Sequence, residues 1–185
     1  MFKNKNILIC VTGGISAYKV CDIVSVLKHK GANVNVIMTN NATKFITPLT
    51  LETLSKNKVY SDMFNHEYKK EVIHIELAQT SDLVLVAPCS ANMIAKLSYG
   101  LGDDLVSTTL LATRAQIVIA PAMNDNMYSN PIVQDNISRL KRFGYKFIEP
   151  ETGSLACGYV GKGKLAKKEI IINYLENILR GDKND

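Results

Sequence analysis

No apolar run in this chain of 185 residues approaches membrane-spanning length, and no charged-then-apolar leader opens it. Cysteine is scarce. Cys10, Cys21, Cys89 and Cys157 form no CxxC pair and no Cys/His cluster with metal-site spacing. That argues against a zinc module, predicts no bound metal, and makes a cytoplasmic protein with reduced thiols the simplest expectation. Two phosphate-binding signatures are also missing. Gly13-Gly14-Ile15-Ser16-Ala17 lacks the G-x-G-x-x-G spacing of a dinucleotide fingerprint, and no Gly-Lys-Ser/Thr follows to make a Walker A loop. The formal net charge of +5 is too small and scattered for a nucleic-acid surface, though it suits a small anionic ligand. Repeats, linkers and low-complexity tracts are absent, so residues 1–185 are expected to form a single domain with core enough to be stable unaided.

What is present is an alternation of strand-like and helix-like segments. Ile7-Leu8-Ile9-Cys10-Val11 is a continuous apolar run of strand length. The turn Thr12-Gly13-Gly14 leads into a helix over 15–28 with Ile23, Val24, Val26 and Leu27 on its apolar face. A second strand over 33–38 is followed by Thr39-Asn40-Asn41, which caps a helix running through Phe45; a further helix covers 49–54. Residues 55–71 read as loop with a short strand near Val59. A short helix beginning near His74 then feeds the most apolar strand, 82–87. Pro88-Cys89-Ser90-Ala91-Asn92 turns the chain into a helix through Leu97, and Asp103 caps another through Leu111, with Ser107 and Thr108 as candidates to face the cleft. The run 117–120 is a strand stopped by Pro121, which has no N–H for the ladder. Asn130-Pro131 opens an amphipathic helix that Gly144 ends, and residues 145–148 make a last short strand. The segment 151–164 carries four glycines and no regular period, as expected of a flexible lid, and a helix over 169–179 closes the chain. Strands alternating with helices predict a three-layer α/β fold with a doubly wound parallel sheet of five or six strands, its ligand site at the carboxyl edge.

Three strand exits carry the candidate chemistry. At Gly13, Gly14 and Ser16, backbone amides and a hydroxyl open a helix whose N-terminus favours an anion; the same glycines equally suit a plain turn. Ser90, Ala91 and Asn92 form a second such turn, and two in one sheet converge if their strands are neighbours. Asn124, in the turn after Pro121, has a carboxamide that can meet a carboxylate or cap the next helix. Thr39 is either an N-cap or a cofactor contact. His74 is either a core histidine or a base, while His29 and His66 read as surface. Lys162, Lys164, Lys167 and Lys168 are a solvated basic face, with Lys162 and Lys164 also open as anion ligands.

In order along the chain, GGISAYK (13–19), His74-Ile75-Glu76-Leu77, PCSANMIAK (88–96), PAMNDNM (121–127) and LACGYVGKG (155–163) resemble the flavin-dependent cysteine decarboxylases. The resemblance covers nearly the whole chain. It implies a Rossmann-like flavoprotein that binds FMN through Gly13, Gly14, Ser16, Thr39, Phe45, Ser90, Ala91 and Asn92. It assigns His74 as base, Asn124 as carboxylate ligand with Met127 beside it in the substrate site, and Cys157 as the proton donor of a mobile lid. Tyr128 stands where that family often has Trp.

The implied reaction converts 4′-phosphopantothenoylcysteine to 4′-phosphopantetheine in coenzyme A synthesis. A simple aminoacyl carboxylate loses carbon dioxide poorly, because the carbanion left behind has nowhere to delocalise. Oxidation at the cysteine thiol to a thioaldehyde supplies the electron sink; carbon dioxide then leaves to give an enethiol, which is reduced. The implied partners are the small-molecule substrate and a phosphopantothenate-cysteine ligase, either a separate protein or a synthetase from whose fusion this domain is cut; the implied assembly is a homotrimer or a dodecamer of trimers. Three related readings compete: a lantibiotic-type peptidyl-cysteine decarboxylase, a flavin prenyltransferase, and a non-catalytic regulatory flavoprotein. The LACGYVGKG segment speaks against the first, because only a reductive half-reaction needs its cysteine.

Overall fold

The computed structural model describes residues 1–64, 72–154, 158 and 160–181. Its elements in chain order are β1 (Asn6–Val11), a 3-10 turn (Ile15–Lys19), α1 (Val20–His29), β2 (Asn33–Met38), a 3-10 turn (Ala42–Lys44), α2 (Pro48–Ser55), β3 (Val59–Tyr60), α3 (Ile73–Thr80), β4 (Leu83–Cys89) and α4 (Ala91–Tyr99). There follow α5 (Leu105–Ala112), β5 (Gln116–Pro121), α6 (Asp125–Ser129), α7 (Pro131–Arg142), β6 (Lys146–Phe147), β7 (Glu151–Ser154), β8 (Val160–Lys164) and α8 (Lys168–Arg180).

Six parallel strands form one sheet in the order β3-β2-β1-β4-β5-β6. The chain builds outward from β1 to β3, crosses back, and builds outward again from β4 to β6. The reversal opens a crevice between the exits of β1 and β4, where doubly wound sheets hold their ligands. The period-2 alternation of the strands divides the core. Ile7, Ile9, Val11, Leu83, Leu85 and Ala87 pack toward α1, α2 and α8. Leu8, Cys10, Val84, Val86, Ile117 and Ile119 pack toward α3, α4, α5 and α7. With helices on both faces, the central strands are apolar on both, which is why β1 and β4 read as unbroken hydrophobic runs.

The differences from the sequence reading are local. The first helix begins as a 3-10 turn and becomes α-helical only at Val20. Asp104, not Asp103, caps α5: its carboxylate accepts from Ser107 N while Ser107 Oγ accepts from Asp104 N, and Lys96 pairs with both Asp103 and Asp104 at 2.6 Å. The segment 151–164 contains the antiparallel pair β7–β8. Its described glycines carry no side chain to alternate, and Gly163 packs directly against the Met123 backbone, so the segment gives no periodic signal in the sequence. Among the described residues no helix is long and apolar enough to cross a membrane.

Candidate active site

The exits of β1, β4 and β5 are joined by short hydrogen bonds. Buried Thr12 is the centre of this stitching: its hydroxyl donates to the Pro88 carbonyl at 2.7 Å and accepts from Ser90 N at 2.9 Å. Ala122 N donates to the Cys89 carbonyl at 3.1 Å. The three turns therefore hold fixed positions about one cleft of about 610 Å³, within the range of ligand and cofactor pockets. Gly13, Gly14, Ser16, Ser90, Ala91, Asn124 and Met127 all line it, as do Ile15, Tyr18, Lys19, Ala122, Met123, Gly163 and Lys164.

Each wall has a local reason. At Gly13 a Cβ would stand 2.6 Å from Asn41 Cβ and 3.2 Å from its carbonyl carbon, so only glycine lets the β1 exit pass that close to the β2 exit. At Gly14 a Cβ would meet nothing within 4 Å: bare backbone faces open space. Ser90 caps α4 by accepting from Met93 N at 3.3 Å. Asn124 caps α6, its Oδ1 accepting from Asn126 N at 2.9 Å and Met127 N at 3.4 Å. The two sequence readings of Asn124, cap and cleft residue, are thus both realised. The cap needs the oxygen, so the amide is oriented with its nitrogen as the end that donates.

The roof is the β7–β8 hairpin. Met123 N donates to the Gly163 carbonyl at 2.9 Å. A Cβ on Gly163 would stand 2.1 Å from the Met123 carbonyl oxygen, and one on Gly161 2.7 Å from Asp125 Oδ2. Gly163 lets two backbones touch, and Gly161 makes room for the Asp125 side chain. Lys162 Nζ lies 3.0 Å from Glu149 Oε2, and the Tyr128 hydroxyl donates to the same oxygen at 2.7 Å. Burial alone would raise the Glu149 carboxyl, but the Tyr128 hydroxyl with Lys162 and Lys141 holds it below its ordinary value. Burial and that carboxylate push the Tyr128 hydroxyl up.

Other expected residues stand outside this cleft. Thr39 caps the second 3-10 turn, accepting from Ala42 N at 3.2 Å, and its segment, with exposed Phe45, backs the Gly13 turn through Asn41. Asn92 is exposed on the first turn of α4. Ser107 is buried in the α5 cap and Thr108 donates to the Gly102 carbonyl, so neither faces the cleft. His74 opens α3, on the α4–α5 side of the sheet, and does not line the cleft of its own chain; its Nδ1 is buried with no hydrogen-bond partner among the described residues. Cys157 and His66 lie outside the described residues. Cys10 and Cys89 are buried strand residues whose thiols burial pushes up, so neither is a ready nucleophile. His29 is exposed, its Nδ1 2.7 Å from the Ser25 carbonyl.

Sequence reasoning missed Thr12, Tyr18 and Lys19. A hydroxyl that bonds across 76 and 78 residues leaves no local signal. Tyr18 and Lys19 face the cleft because the turn is a 3-10 helix, where residues three apart eclipse, placing Lys19 beside Ser16.

The flavoprotein family profile matches residues 1–180. The chain belongs to the flavoprotein family. This flavoprotein is 48% identical over 177 residues to the probable phosphopantothenoylcysteine decarboxylase of Streptococcus mutans, covering 95% of this chain and 99% of that one. It is 51% identical over 176 residues to the coenzyme A biosynthesis bifunctional protein CoaBC of Bacillus subtilis, covering 95% of this chain but 43% of that protein, so it spans under half the length of that relative. Among solved structures it resembles a PPC decarboxylase variant complexed with pantothenoylaminoethenethiol, with TM-score 0.87, 27% identity and coverage of 96% and 100%. The FMN binding protein AtHal3 gives TM-score 0.85 at 27% identity, with coverage of 97% and 98%. The family read from the five motifs is therefore the right one, and a flavin is its cofactor.

The cleft fits such a group. Glycine backbone, a serine hydroxyl and a lysine on one wall suit a phosphate, while Ile15, Ala122, Met123 and Met127 supply apolar surface for a planar ring system.

Proposed function

We propose that this flavoprotein is an FMN-dependent decarboxylase that converts 4′-phosphopantothenoylcysteine to 4′-phosphopantetheine in coenzyme A synthesis, a cytoplasmic reaction. The observation that carries the reading is the convergence of two amide- and hydroxyl-bearing turns with Asn124 on one cleft. A flavin held there would supply reversible two-electron redox chemistry at the substrate thiol carbon, and the net reaction is non-oxidative. Gly13, Gly14 and Ser16, with Lys19, hold its phosphate, and Ser90, Ala91 and Asn92 border the second turn. Thr39 and Phe45 complete that region from behind the Gly13 turn.

Asn124 holds the substrate carboxylate through its amide nitrogen. A neutral donor orients the group without the ground-state stabilisation that a cation would add, which would raise the barrier to losing carbon dioxide. Met127 packs beside it. His74 takes the thiol proton: an imidazole ring nitrogen is the side-chain base suited to accept a proton from a thiol. Because His74 does not line its own cleft, it serves the cleft of a neighbouring copy, in keeping with a homotrimer or a dodecamer of trimers. Cys157 supplies the proton for the final reduction from a lid over residues 151–164. The substrate comes from a phosphopantothenate-cysteine ligase, separate or fused.

Two variants test the roles. With His74→Asn, carbon dioxide release should cease while the yellow flavin stays bound; undiminished turnover removes His74 from the chemistry. With Cys157→Ser, carbon dioxide should still be released but the enethiol should accumulate; reduced product at the normal rate refutes the proton-donor role. Free phosphopantothenoylcysteine against a peptide with C-terminal cysteine separates this reading from a peptidyl-cysteine decarboxylase.

A further inference from the structure

Two lysines of the same strand have different surroundings. Lys162 is held by Glu149 at 3.0 Å and lies over the Tyr128 ring, 5.5 Å from its centroid. Lys164, two residues on, would share its face in a regular strand. It does not, because the β7–β8 register slips: Thr152 opposes Lys162, but Glu151 opposes Lys164. Gly163 is therefore an extra residue on β8, a bulge. Bulges bend a strand and re-aim the side chains that follow. Gly163 can occupy this place because its backbone touches the Met123 turn where no Cβ would fit.

The re-aimed Lys164 lines the cleft. Its side chain runs past Gly153, where a Cβ would stand 3.4 Å from Lys164 Cδ and 3.7 Å from Nζ. Among the described residues no carboxylate lies within ion-pair distance of it. Glu151, its cross-strand neighbour, instead accepts from the backbone N–H of Lys167 at 3.3 Å. The described cleft lining holds no Asp or Glu and two lysines, Lys19 and Lys164. They stand on different elements: Lys19 beside Ser16 on the β1 exit, Lys164 on the hairpin that roofs the Asn124 turn.

We infer that Lys164 binds the phosphate monoester of the substrate and so sets the preference for phosphorylated over unphosphorylated substrates. This rests on the decarboxylase reading of the cleft. Three anions compete for a cation here. The cofactor phosphate is served on the other wall by Gly13, Gly14, Ser16 and Lys19. The substrate carboxylate is a poor partner, since an ammonium on it stabilises the ground state and slows its loss. The remaining anion is the phosphate of the substrate, which carries nearly two negative charges at pH 7.

The test compares kcat/KM for 4′-phosphopantothenoylcysteine and for pantothenoylcysteine in flavin-loaded wild type, Lys164→Gln and Lys164→Arg. Lys164→Gln should lower kcat/KM for the phosphorylated substrate about ten- to a hundredfold, chiefly through KM, the loss expected for a charge-assisted hydrogen bond. It should leave the unphosphorylated substrate nearly unchanged, so the discrimination ratio collapses while the visible flavin spectrum stays the same. Lys164→Arg should keep the ratio. An equal fall on both substrates, or loss of flavin, assigns the charge to carboxylate or cofactor and overturns the inference, as does an unchanged ratio in Lys164→Gln. If wild type releases carbon dioxide from neither substrate, the decarboxylase reading falls and takes the inference with it.

Discussion

The two walls of the cleft are built on different principles. The β1 exit is continuous with the buried sheet: Val11 is fully buried, Thr12 is bonded to two residues at the β4 exit, and Gly13 is pressed against Asn41. The β8 wall belongs to no sheet of the core. Among the described residues it is docked by a backbone hydrogen bond from Met123, by glycine contacts, and by the half-exposed Lys162–Glu149 pair. The first wall cannot shift without unfolding part of the core, whereas the second can detach at small cost to the fold. A cleft with one fixed and one docked wall suits a resident cofactor on the fixed side and a substrate that enters and leaves on the other.

The largest effect that would break this contrast is expected at the docked wall. Gly163→Ala places a Cβ 2.1 Å from the Met123 carbonyl oxygen and must displace the hairpin. Turnover should fall about a hundredfold, as for a misplacement of about 1 Å near a reacting group, while the melting temperature changes little. A large drop in melting temperature would show that the hairpin is part of the core after all. At the fixed wall the balance reverses. Thr12→Val removes the acceptor of a Ser90 N–H and should cost about 1–3 kcal/mol of stability, read by denaturant titration. Unchanged stability would deny that the exits are stitched together.

The smallest effect concerns Glu149. Its carboxyl is held below the unfolded value, so the stabilisation it brings is present above the ordinary carboxylate range and is lost as pH falls through its folded value. The pair is half exposed, so the loss is about 0.2–1 kcal/mol, screened by salt. Glu149→Gln should flatten the acid side of a hairpin-proteolysis profile over that range without changing it above pH 6. An undiminished acid dependence would place the titrating group elsewhere.

Much of the fixed wall was legible in the sequence. β1, β4 and β5 are apolar runs because both sheet faces are covered, and their exits carry the Gly, Ser and Asn that such turns require. Local chemistry and strand period were sufficient to place Gly13, Gly14, Ser16, Ser90, Ala91 and Asn124 at one edge, while Met127 came from the family resemblance. The docked wall was not legible. A glycine-rich pair whose side chains alternate with nothing gives the same sequence as a loop. Asp103 and Asp104 are indistinguishable as caps until the reciprocal bonds with Ser107 select the second, since Lys96 pairs with both. His74 could be placed at the start of its helix, but a single chain does not bring it to its own cleft.

By itself the sequence determined the order of elements, the parallel sheet and the family, because these follow from periodicity and from short motifs that act through neighbouring backbone. Only the tertiary structure decided which residues share a surface. Thr12 meets Ser90 across 78 residues, and one extra glycine on β8 separates Lys164 from Lys162. Such contacts depend on register and on the packing of distant segments, and neither is written into any local stretch of the chain.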